Sequence, residues 1–88
     1  MKKVGEVLES EKQIIYDLYE KRNALVNLLK ILDDTDKMWN DAVNILEFTR
    51  NKEKEWWKEK EQKYKWYGET DKSWVINFRT NEIFLIKR

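Results

Sequence analysis

Cysteine, histidine and proline are absent from these 88 residues, and glycine occurs only at positions 5 and 68. Without cysteine there is no disulfide or thiolate metal site to staple a small domain, which fits a reducing, cytoplasmic setting. Without histidine or cysteine, a nucleophile or general base would have to be Ser, Lys, Tyr, Asp or Glu. Of the serines, Ser10 reads as a helix cap and Ser73 has no base at a recognisable spacing. Glu55 with Glu59, and Asp33 with Asp36, are explained by solvated helix faces and caps. No catalytic residue and no cofactor is therefore expected. Long apolar runs are also missing, so neither a signal peptide nor a membrane span is read.

What the chain has instead is aromatic. Of its twelve Trp, Tyr and Phe residues, Trp56, Trp57, Tyr64, Trp66, Tyr67 and Trp74 crowd into one stretch, with Phe78 just beyond. Most of that stretch is otherwise Lys and Glu. A solvated helix has no use for indole rings, so the segment must bury them against something, and each can bury roughly 150–250 Å². Charge is uneven as well. Residues 1–49 carry seven basic against ten acidic side chains, and residues 50–88 carry eleven against seven. The dipole is modest, suited to steering a partner or aligning self-assembly rather than holding nucleic acid.

Length and patterning predict one small α+β domain, mainly α. Residues 2–8 read as extended, and Ser10-Glu11-Lys12-Gln13 has the spacing of a capping box. A first helix is predicted over 11–32, with Ile15, Leu18, Leu25, Leu29 and Leu32 on its apolar stripe, Ile14 and Leu28 widening it, and Arg22 breaking it. Asp33-Asp34-Thr35-Asp36 ends that helix and caps the next. A calcium loop would need alternating acids, a central Gly and a distal Glu, so no metal site is read there.

A second helix is predicted over 37–67, with Trp39, Val43, Leu46, Thr49, Glu53, Trp56, Lys60, Tyr64 and Tyr67 along its inner seam and Gly68 stopping it. A short loop makes the helices antiparallel, and the second should outrun the first by two to three turns. A C-terminal β-hairpin, about 74–78 and 83–87, together with residues 2–8 as a third strand, would wrap that overhang. Two registers fit the hairpin. A two-residue turn at Thr80-Asn81 pairs Arg79 with Glu82 and sets Trp74, Ile76 and Phe78 beside Ile83 and Leu85. A three-residue loop with Asn81 left-handed sets them beside Phe84 and Ile86 instead. The first has the more apolar face and is preferred.

Among candidate sites, the basic run Arg50, Lys52, Lys54, Lys58, Lys60, Lys63 and Lys65 interleaves with Trp56, Trp57 and Trp66, as single-strand binders do. Glu53, Glu55, Glu59 and Glu61 lie in the same run, which a phosphate-binding face would avoid. Arg22 should find Glu47 or Glu53, or else mark an anion site between the helices. The favoured candidate is the edge of the C-terminal sheet as a peptide groove. Its lining would be Trp74, Ile76 and Phe78 from the sheet and Trp56, Trp57 and Tyr64 from the helix.

Several segments carry a resemblance. They are Met1-Lys2-Lys3-Val4-Gly5-Glu6-Val7, the helix Leu18-Tyr19-Glu20-Lys21-Arg22-Asn23-Ala24-Leu25, the pair Trp56-Trp57, then Tyr64-Lys65-Trp66, and the closing run from Trp74 to Leu85. In that order they resemble a family of small proteins that accompany CXXX-repeat peptide modification systems. The likeness spans nearly the whole chain. It implies an accessory role beside a radical enzyme and a ribosomally made, Cys-repeat precursor, and it brings no catalytic residues with it. A self-associating helical hairpin, dimerising over Trp39, Tyr16 or Tyr19, and a basic–aromatic nucleic-acid binder are the alternatives.

Overall fold

The structure, a computed structural model, describes residues 2–66 and 72–87. Element order is β1 (Lys2–Glu6), α1 (Glu9–Ile31), α2 (Lys37–Tyr64), β2 (Lys72–Asn77) and β3 (Glu82–Lys87). The helices form the expected antiparallel hairpin. The strands form one antiparallel sheet in the order β1-β3-β2, so the N-terminal segment is a strand and pairs with the last one. The sequence reads as a loop from Gly68 through Lys72; Tyr67 to Asp71 lie outside the described residues, and Lys72 is the first residue of β2, two residues before the predicted strand start.

Both ends of the interhelical loop behave as their side chains dictate. Asp33 Oδ1 accepts the backbone N–H and the hydroxyl of Thr35, each at 3.0 Å, while Asp36 caps α2 by accepting Met38 N–H at 2.9 Å. Such caps satisfy donors that the first turn cannot pair internally.

The start of α1 differs from expectation. Ser10 is not the cap: the helix begins at Glu9, with Leu8 in extended geometry before it. Glu11 Oε1 reaches back to accept Leu8 N–H at 2.9 Å, so half of a capping box forms two residues earlier than the Ser10–Gln13 spacing suggests. The reason is tertiary, because Glu11 is also gripped by side chains of α2.

The end of α2 differs too. The helix stops at Tyr64 rather than Tyr67, and Lys65 is left-handed with φ 57°. Left-handed backbone costs a non-glycine residue about 1–2 kcal/mol. In return the chain reverses and carries Trp66 back under the sheet, where its indole stacks on Tyr64 at 5.2 Å and is buried. Its partner there is Gly5, whose missing side chain leaves the space that the Trp66 ring edge fills; a Cβ on Gly5 would lie 3.0 Å from Trp66 Nε1.

These shifts shorten the overhang. α1 has 23 residues and α2 has 28, about 35 and 42 Å at 1.5 Å per residue. The surplus is nearer one and a half turns than two to three.

In the C-terminal hairpin the strands pair Trp74 with Leu85, Val75 with Phe84, Ile76 with Ile83 and Asn77 with Glu82. The face is the preferred one, with Trp74 and Ile76 beside Ile83 and Leu85. The turn, however, is longer than either expectation and Phe78 belongs to it. Asn77 explains this. Its carbonyl accepts Thr80 N–H at 3.3 Å and Asn81 N–H at 2.9 Å, and its side chain accepts Arg79 N–H at 2.9 Å. Asn81 closes the turn in the left-handed region at φ 63°, as the second register supposed. An Asx turn of this kind outcompetes one more rung of ladder.

A core of Val7, Ile15, Trp56, Trp66 and Ile83 sits where the sheet lies across the helices, with Val4, Leu18, Trp57, Tyr64, Trp74, Ile76 and Phe78 packed on it. Beyond the sheet the helices run on alone, burying Ala42, Leu46 and Thr49. This bare arm makes the molecule long. Its radius of gyration is 15.2 Å and its longest extent 44 Å, against about 12 Å for the radius of gyration of a compact chain of this length.

Candidate functional site

The two edges of the sheet are unlike. β1 carries Lys2 and Lys3 and is bulged between Lys3 and Gly5. Lys3 is held to Glu82 at 2.9 Å and Glu6 at 3.0 Å. Charges and bulges are how proteins discourage pairing at an edge. β2 pairs with β3 without a break, and its middle is Trp74-Val75-Ile76. Among the described residues no strand pairs with its outer side.

A cleft of about 230 Å³ runs beside β2. Ile15, Tyr19 and Arg22 of α1, Glu53 and Trp57 of α2, and Trp74, Val75, Ile76 and Phe78 line it. Successive strand residues point to opposite faces, and three in a row touch this space. The cleft therefore follows the strand's edge rather than one face of the sheet. Tyr16 and Tyr19 pack on the Phe78 ring at 5.1 and 5.2 Å, so Phe78 braces the end of the cleft. Arg22 Nε donates to Glu53 Oε1 at 2.8 Å across the helix pair, one of the two acceptors expected for it. Arg22 also lies over the Tyr19 ring at 5.4 Å. The cleft thus offers a neutralised ion pair and aromatic walls beside the outer strand of the sheet.

The six candidate residues divide. Trp57, Trp74, Ile76 and Phe78 line the cleft. Trp56 and Tyr64 do not: they are core. Trp56 is 4% exposed and its Nε1–H donates to the Glu11 carbonyl at 3.1 Å. Tyr64 stacks on Trp66 and its hydroxyl donates to the Glu11 carboxylate. The cleft also takes in Ile15, Tyr19, Arg22, Glu53 and Val75, which the sequence places on the helical seams, on a dimer face, in an interhelical ion pair or along the strand rather than in a groove. A three–four stripe gives no sign of which seam residues border a gap.

Glu11 is the hub behind the cleft. Its carboxylate is almost fully buried, and it accepts Lys63 Nζ at 2.8 Å and faces Lys60 Nζ at 3.5 Å. Burial pushes the Glu11 carboxyl up. The hydrogen bonds from Lys63, Tyr64 and Leu8 N–H, with the charge of Lys60, outweigh that and hold it down at about 2. The same contact with Glu11 raises Lys63 and Tyr64. Two lysines of the basic run are thereby committed to a carboxylate, and a third, Lys52, lies 3.3 Å from Glu55. Base stacking needs open ring faces, whereas Trp56 and Trp66 are 4% and 6% exposed.

A larger depression, about 410 Å³, lies among Lys58, Glu61, Gln62, Lys65 and Trp66. Its walls are four long polar side chains and the Trp66 ring, and no strand residue lines it. Among the described residues no group of acidic side chains is placed to hold a metal ion, and no helix is long and apolar enough to cross a membrane. No family model, curated protein or solved structure matches the chain.

Proposed function

We propose that this chain is a non-catalytic accessory protein of a cytoplasmic ribosomal peptide modification system, and that it takes an extended peptide as a fourth strand against β2. One observation carries the reading: the unguarded edge of the sheet opens directly onto the aromatic cleft. Strand addition gives affinity through backbone hydrogen bonds and selectivity through alternate side chains entering pockets. Trp57, Tyr19 and Phe78 supply apolar walls for such side chains. The Arg22–Glu53 pair supplies one polar contact point. The resemblance to proteins that accompany radical enzymes and Cys-repeat precursors supplies the class of peptide. Ordering a disordered peptide costs several kcal/mol, so affinity in the micromolar range is expected.

The test is a titration of a reduced synthetic peptide carrying Cys-X-X-X repeats behind its leader segment, with amide hydrogen exchange followed on β2. Binding should slow exchange along residues 74–77, and Val75→Lys, which places a charge at the edge, should weaken it at least about tenfold. Unchanged exchange at saturation, or equal affinity for the variant, overturns the reading.

A further inference from the structure

α2 carries a second apolar stripe that nothing among the described residues covers. Ala42, Leu46, Thr49 and Trp56 are buried, the first three against α1. A different set, Met38, Ile45 and Phe48, is exposed at 56%, 43% and 58%. Extended through Asp41, Lys52 and Glu55, the set has the spacing three, four, three, four, three. That is the spacing of a heptad seam facing another helix. Ile31, one loop away at the end of α1, is 81% exposed and adjoins the Met38 end in sequence.

The charges say what fits it. A two-fold axis between Ile45 and Phe48, with a second α2 running antiparallel, sets Ile45 against Phe48 of the second copy. The same axis sets Asp41 against Lys52 of that copy, and both contacts occur twice. A parallel copy would instead oppose Asp41 to Asp41 and Lys52 to Lys52. Lys52 already lies over the Phe48 ring at 5.3 Å and near Glu55, so its charge is held at the seam. Asp41 has no ion pair among the described residues. The four exposed apolar side chains present on the order of 400 Å², the size at which a patch on a monomer is usually functional. A standard interface takes about 800 Å² per partner, so this contact belongs to the weak, transient class.

We infer that this stripe is an antiparallel, self-complementary dimer seam, and that a second copy of the chain occupies it. It lies on the arm beyond the sheet, so a dimer leaves both peptide clefts free and links them at opposite ends of a rod.

Sedimentation equilibrium of the full chain, from low micromolar to millimolar concentration, tests this. The wild type should pass from monomer to dimer across that range, and Phe48→Glu should stay monomeric with unchanged helix content by circular dichroism. Asp41→Lys and Lys52→Asp should each weaken self-association about tenfold. Their equimolar mixture should associate as well as the wild type, because each heterodimer restores both attractive pairs. That mixture reads the seam even if Phe48→Glu folds poorly. A wild type that is monomeric throughout overturns the inference and leaves the stripe to a different protein. A dimer indifferent to Phe48→Glu, or a mixture no tighter than the single variants, overturns it as well.

Discussion

Replacing Glu11 by Gln tests whether one buried carboxylate ties the first turn of α1 to the last turn of α2. Gln keeps the shape and can still bond Leu8 N–H and Tyr64, but it brings no charge to Lys60 and Lys63. The Glu11 carboxyl lies at about 2 against an ordinary value of 4.5. At about 1.4 kcal/mol per tenfold change in proton affinity, that difference caps the contribution at about 3 kcal/mol. Lys63 is half exposed, and solvent screening of that partner lowers the expectation to about 2 kcal/mol. For a domain of this size the loss corresponds to a melting point lower by about 8–15 °C at neutral pH.

The sign with pH follows from the depressed value. Stabilisation by the carboxylate is complete above the unfolded value of 4.5 and fades as pH falls through it towards 2. Urea unfolding, followed by fluorescence of the buried Trp56 and Trp66, measures the gap between wild type and Glu11→Gln. The gap should be widest from pH 5 to 7 and should close towards pH 2, where wild type is itself protonated. A gap that stays constant from pH 7 to 3, or one below about 0.5 kcal/mol at neutral pH, refutes the assignment of Glu11 as the electrostatic hub.

Gly5→Ala should destabilise the fold by about 1–2 kcal/mol, because the new Cβ meets Trp66 Nε1 at 3.0 Å. In a Trp66→Phe background the penalty should shrink, which a double-mutant cycle by chemical denaturation reads. Lys65→Gly should raise stability by about 0.5–1 kcal/mol, since glycine takes the left-handed position at the end of α2 without strain. Asn81→Ala should cost about 1–2 kcal/mol through its left-handed backbone and the lost bond to Glu9 at 3.0 Å. Asn81→Gly should recover most of that in thermal melts.

What the sequence discloses here follows the range over which each determinant acts. Leu46, Thr49 and Ile15 lie on their seams because helical period alone sorts them. Asp33 and Asp36 are legible as caps because a cap needs only its own neighbours. The N-terminal strand is legible by elimination, since residues 2–8 start at the same end of the helical pair as the hairpin. Misplaced elements are those decided by a distant partner. Ser10 and Gln13 have the right spacing for a box, yet Glu11 wins because Lys63 and Tyr64 lie across from it. Gly68 is the obvious helix stop, yet the chain turns at Lys65 so that Trp66 can sit on Gly5. The cleft shows the same division. Trp74, Ile76 and Phe78 follow from strand alternation and the turn, whereas Trp56 and Tyr64 could be told from Trp57 only by knowing which rings the sheet covers.

The contrast between the two sheet edges bears on function more than the aromatic content does. Trp56 and Trp66 are buried in the core and Trp57, Tyr64, Trp74 and Phe78 pack on it, and a small domain without disulfides needs them there. An unguarded edge has no such justification: bare strand edges invite aggregation, and β1 is charged, bulged and pinned by Lys3 as if to prevent it. β2 has a lysine only at its first residue, Lys72, pairs without a bulge, and its middle is Trp-Val-Ile. The proposed strand addition makes use of this difference, since the less protected edge is the one beside the cleft with aromatic walls. Guarding it should therefore reduce binding without lowering stability. Val75→Lys, matched to wild type in its unfolding midpoint but deficient in peptide titration, is the result that separates an edge kept for a partner from one merely left exposed; equal titration curves would put the binding elsewhere.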